Sequence, residues 1–172
     1  KVKELQKLPI RLELNNDRLG NMQYPPSASW LRANRHDPAL VKHGHIPRAK
    51  ALYSPHMWAK HPYVVMHELA HAYHDQVLSF NNKEIIEAYN AAKKAGIYEK
   101  VMLYTGRTVR HYGLNNHKEY FAEATEAYLG SLPGNAQANV REPLINTRNL
   151  ADLIPVNSVW AGSAVAPCPF YP

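Results

Sequence analysis

Leu8, Ile10, Leu12 and Leu14 alternate with Pro9, Arg11 and Glu13, the two-residue period of a half-buried strand, and Asn15-Asn16-Asp17 marks a turn behind it. From Tyr24 to Pro62 the chain is punctuated by proline, glycine, asparagine and aspartate, which predicts loops around short extended pieces; His45 to Tyr53 is the best strand among them. Pro62 then sits where the first turn of a helix accepts it, and Tyr63 to Phe80 follows with neither glycine nor proline. Val64, Val65, Met66, Leu69, Ala70, Ala72, Val77 and Leu78 place apolar groups on nearly every side of that helix. Such a pattern predicts a helix buried in the core, on which any polar group needs a reason.

A second helix is predicted from Asn82 to Ala95, stopped by Gly96. Lys100 to Tyr104 and Arg107 to Tyr112 flank Thr105-Gly106 as the arms of a hairpin. A third helix runs from His117 to Leu129 and ends at Gly130. Beyond it the chain is proline-rich, with one predicted helix around Arg141 to Ile154. The 172 residues are enough for one core, so the expectation is a single domain over 1–172 with 131–172 as an irregular C-terminal segment.

Composition narrows the function classes. Twenty Lys and Arg against fourteen Asp and Glu give a formal charge of +6, but the basic residues are scattered and no nucleic-acid motif accompanies them, so no nucleic-acid partner is expected. Cys168 is the only cysteine, which excludes an intrachain disulfide and a thiolate metal cluster. No apolar run is long enough to span a membrane. Lys1 to Leu14 carry charge throughout, unlike the apolar core of a signal peptide, so any export signal is expected to have been removed.

The segment His67-Glu68-Leu69-Ala70-His71 has the form H-E-x-x-H inside the apolar helix. Positions four apart on a helix lie one above the other, so both imidazoles can meet one cation while Glu68 is angled toward a metal-bound water as a general base. Zinc suits nitrogen and carboxylate ligands and leaves a fourth position open when three are supplied. The third ligand lies elsewhere, because His74 and Val77 break the extended motif of the metzincins. Glu84, Glu87, Glu119, Glu123 and Glu126 are the candidates; of these, 119, 123 and 126 share one helix face. Glu119 is the first choice, although Asn116 could cap the helix with Glu119 as the partner of a capping box. Glu123 is an alternative ligand, or the carboxylate that orients a metal histidine. Asp75 and His74 are further candidates for that orienting role or for plain structural ones, while His111 and His117 are read as structural.

Taken together, His67 to His71, the later Glu119-Tyr120-Phe121-Ala122-Glu123, and Tyr112 seven residues before Glu119 resemble the catalytic domain of anthrax lethal factor and Pro-Pro endopeptidases, within the gluzincin zinc metallopeptidases. The resemblance covers about 45 to 130; His71 to Gln76 also looks like uncharacterised bacterial and fungal relatives of lethal factor. It implies zinc on His67, His71 and Glu119, Glu68 as base, and Tyr112 as the group that stabilises the oxyanion. The expected fold is a compact α+β, zincin-like domain, with a small sheet beside the motif helix and a second helix carrying the third ligand. The expected function is a zinc-dependent endopeptidase acting on a protein or peptide substrate through a metal-activated water, in a secreted protein. Two rivals share the ligands: a zinc-stabilised noncatalytic binding domain, and a zinc hydrolase of a non-protein amide.

Overall fold

The computed structural model describes residues 1–96, 98–102 and 107–130. Helix α1 (Val2–Leu5) leads to strand β1 (Ile10–Leu12), helix α2 (Ala28–Ala33), strand β2 (Gly44–Ile46) and helix α3 (Pro55–Lys60). Helix α4 (Val64–Tyr73) continues into a π-helical turn at His74–Leu78; helix α5 (Lys83–Ala95), strands β3 (Val101–Met102) and β4 (Thr108–Val109), and helix α6 (His117–Gly130) complete the order. The class is α+β, as expected, with two small sheets and helices that dominate the interior. No helix among the described residues is long and apolar enough to cross a membrane.

β1 and β2 pair in parallel, Arg11 opposite His45, and Gln23 bridges the other side of His45 in the antiparallel sense. The predicted strand Leu8 to Leu14 contracts to three residues. Its apolar face is largely uncovered, with Ile10 51%, Leu12 53% and Leu14 89% exposed, because a two-stranded sheet offers little to bury against. The predicted strand His45 to Tyr53 also ends early. Pro47 has no N–H to give to a ladder, and Ala49–Tyr53 form a 3-10 helix instead. The hairpin appears as β3 antiparallel to β4; its turn, 103–106, and the predicted helix Arg141 to Ile154 lie outside the described residues.

α4 and α6 pack against each other at the centre. Ala70, Ala122 and Ala124, all fully buried, keep that contact close, while Tyr73, Tyr120 and Phe121 fill the space around it. Burial on α4 is confined to Ala70, Ala72 and Tyr73, so the helix is less enclosed than its apolar sequence suggests. α5 buries Ile85, Ala88 and Ala92 from one face and has capped ends, with Asn82 accepting from the Ile85 N–H and Gly96 in the left-handed conformation at φ 67°.

Candidate metal centre

The helical spacing of His67 and His71 brings their Nε2 atoms to 3.1 Å from each other. α6 faces them from across the core. Glu119 Oε2 lies 3.1 Å from His67 Nε2 and 3.2 Å from His71 Nε2, so three ligand atoms from two helices converge on one point. Asn116 caps α6 by accepting from the Lys118 and Glu119 N–H groups. Glu119 stands where a capping box would use it, yet its carboxylate turns to the histidines.

The other two carboxylates on this face of α6 meet the far side of His67. Glu126 Oε1 accepts from His67 Nδ1 at 2.5 Å, whereas Glu123 Oε1 is 3.8 Å from that nitrogen and its other oxygen is 3.7 Å from His111 Nε2. Glu123, expected from the sequence to orient a metal histidine, is thus the more distant carboxylate, and Glu126, named only as a candidate ligand, is the near one. Asp75 is carried away altogether: it accepts from the Tyr24 hydroxyl at 2.7 Å and pairs with Lys42 at 3.5 Å. Asp75 lies in the π-helical turn that begins at His74, and its partners come from the segment before α3.

Burial disfavours a charge on His67, but hydrogen bonds to Glu119 and Glu126 outweigh it and lift its pKa well above the usual imidazole range. Glu119 is likewise disfavoured by burial and is held low by its hydrogen bonds with His67 and His71. A pocket that gathers a proton so strongly among carboxylates is suited to gather a cation in its place. Two imidazole nitrogens and one carboxylate oxygen form a donor set that zinc accepts.

Glu68 lines a crevice with Ile10, Met22, Gly44, Ile46, Val65 and Leu69, and burial raises its pKa. Tyr112 lies in a 3-10 turn at Tyr112–Leu114 rather than on a strand, 57% exposed, its ring centroid 6.4 Å from that of His67. The residue before it, His111, is buried, and its Nδ1 accepts from the Gly113 N–H at 2.9 Å. That turn needs glycine: a Cβ on Gly113 would lie 2.9 Å from His111 Nδ1 and 3.4 Å from the Tyr120 Cα. His117 donates from Nε2 to the Phe80 carbonyl at 2.8 Å, a structural bond.

Glu126 was legible only as one of three carboxylates on a face. Spacing alone could not say which turn would reach Nδ1.

No family model and no solved structure matches the chain. Over 49 residues, 28% of its length, it is 84% identical to a protein of Sinorhizobium fredii (strain NBRC 101917 / NGR234) described as a probable conjugal transfer protein TrbE. It is 82% identical over 49 residues to conjugal transfer protein TrbE of Rhizobium radiobacter. The matched stretch spans only 7% and 6% of those proteins. This likeness corrects the resemblance to the gluzincin metallopeptidases and, with it, the expected zinc-dependent endopeptidase, its peptide substrate and its classification as a hydrolase. A few motif positions carried that expectation, and a contiguous stretch of high identity to conjugal transfer proteins outweighs them. The two rival zinc functions gain no support from it either. The roles of Glu68 as base and Tyr112 as oxyanion donor were tied to hydrolysis; what remains is their position beside the cluster.

Proposed function

We propose that this chain serves conjugal transfer and holds a divalent cation, zinc by donor chemistry, on His67, His71 and Glu119. The observation that carries the cation is the convergence of His67 Nε2, His71 Nε2 and Glu119 Oε2, with neighbouring distances of 3.1 to 3.2 Å. The likeness to conjugal transfer proteins supports the cellular role. When bound, the cation supplies positive charge where Glu68, Glu119, Glu123 and Glu126 gather. The finer architecture belongs to the same reading: a small sheet beside the H-E-x-x-H helix, with α6 presenting the third ligand opposite.

Two measurements test the proposal together. Metal content of the purified chain after equilibration with zinc is expected to be one ion per chain, lost in His71→Ala. Deletion of the gene from a strain carrying the transfer system is expected to depress mating frequency, with restoration by the wild-type gene. A chain that takes up no zinc overturns the cation site, and unchanged mating overturns the transfer role.

A further inference from the structure

We infer that Glu126 is a positioning residue for His67: by accepting the Nδ1 hydrogen it fixes the imidazole so that Nε2 is the nitrogen presented to the cation. The inference rests on the cation reading above and specifies how that site is held.

His67 belongs to two overlapping groups of potential ligands. On its Nε2 side stand His71 and Glu119; on its Nδ1 side stand Glu123 and Glu126. A neutral imidazole has one lone pair, so whichever nitrogen keeps its hydrogen is closed to a metal. Three observations choose between the sides. The Nδ1 contact to Glu126 is the shortest at the site, at 2.5 Å, and has the length of a charge-assisted hydrogen bond. Glu123 stands 3.8 Å from the same nitrogen, which leaves the Nδ1 group one ligand looser than the other. The Nε2 side also offers a second imidazole, and nitrogen-rich sets suit zinc better than one nitrogen with two carboxylates.

Helix geometry explains why residue 126 has this part. Glu119, Glu123 and Glu126 fall on one face, and seven residues carry the chain about two turns, or roughly 10 Å, along its axis. The His67 ring lies across that stripe, so Glu119 grips one nitrogen and Glu126 the other. The Glu126 side chain is only 16% exposed, which protects the bond from competition by water. A carboxylate on the far nitrogen sets the ring's orientation and raises its basicity as a ligand.

The test joins two readouts on the full chain. Zinc affinity is measured by chelator competition for wild type, Glu126→Gln, Glu126→Leu and Glu123→Gln. Histidine-labelled protein is examined by NMR, with and without zinc, to identify the protonated nitrogen of His67. Expected are a strongly downfield Nδ1–H in wild type, a zinc-dependent shift confined to Nε2, and a loss of affinity of about 10- to 100-fold in Glu126→Leu. Glu126→Gln, which keeps an acceptor, should fall between it and wild type, and Glu123→Gln should change affinity least.

A zinc shift at Nδ1, a second zinc per chain, or wild-type affinity in Glu126→Leu would overturn the assignment. If wild type binds no zinc, the cation reading fails by itself. The metal-free spectrum then still decides whether Glu126 holds the Nδ1 hydrogen, because loss of the downfield Nδ1–H signal in Glu126→Leu supports it and an unaltered signal rejects it.

Discussion

His67 and His74 ride on one continuous helical segment, yet their surroundings move their pKa values in opposite directions. His67 is half-buried and grips carboxylates through both ring nitrogens. His74 is fully buried among the rings of Phe80, His117 and Phe121, and neither of its nitrogens has a hydrogen-bond partner among the described residues. Burial opposes charge at both positions. At His74 burial, joined by the positive groups of His117, His71 and Lys118, lowers the pKa to about 3; at His67 the carboxylates of α6 reverse it. For these two histidines the difference lies in the carboxylates of α6, which reach His67 and do not reach His74 among the contacts of the described residues.

The sharpest way to break this contrast is to remove the acid. Glu119→Ala leaves the raised charge of His67 without one of its two carboxylates; the expected cost is about 3 kcal/mol of stability in urea denaturation, together with loss of zinc binding. The pH dependence of the metal-free protein should show the contrast with opposite signs. The raised pKa of His67 contributes stability fully below about 6.5, and this is lost as pH rises through the folded value. His74, being depressed, contributes above about 6.5, and its share is lost as pH falls toward about 3, because the unfolded chain takes up a proton that the native one refuses. Glu119 adds to the acid-side loss below about 4.5.

His74→Leu should flatten that acid limb and raise stability near neutrality by about 1 kcal/mol, since it removes two orphaned polar atoms at some cost in ring packing; thermal melts across pH would measure both. Gly113→Ala is expected to cost about 1 to 2 kcal/mol by forcing a Cβ against His111, with zinc binding retained. The smallest effect belongs to Tyr24→Phe, which gives up the Asp75 bond for about 1 kcal/mol or less and leaves zinc affinity unchanged; a fall in affinity would return Asp75 to the site.

The H-E-x-x-H spacing and the shared face of 119, 123 and 126 were readable because a helix repeats regularly. Helix α5 was readable for a similar reason, through Asn82 and Gly96 at its ends. Asn116 and Glu119 had two consistent readings, a cap or a ligand, and only the position of α4 across the core separates them. The π-helical turn left no mark in the pattern from Tyr63 to Phe80, and that pattern could not show that Asp75 would turn to Tyr24 and Lys42. The strands were overextended because alternation cannot tell a covered face from the exposed face of Ile10, Leu12 and Leu14. Function was read least well, since five motif residues specify how a metal can be held and not what the holder is for.

His67 and Glu119 meet across 52 positions of the chain. A contact of that separation cannot form from local winding alone, although α4 and α6 can each wind within about a microsecond. It must wait until the intervening segments have closed, in the slower collapse that governs nonlocal contacts. The downfield Nδ1–H and the zinc uptake of this cluster would thus serve as a clock during refolding, registering the completion of the domain rather than the appearance of its helices.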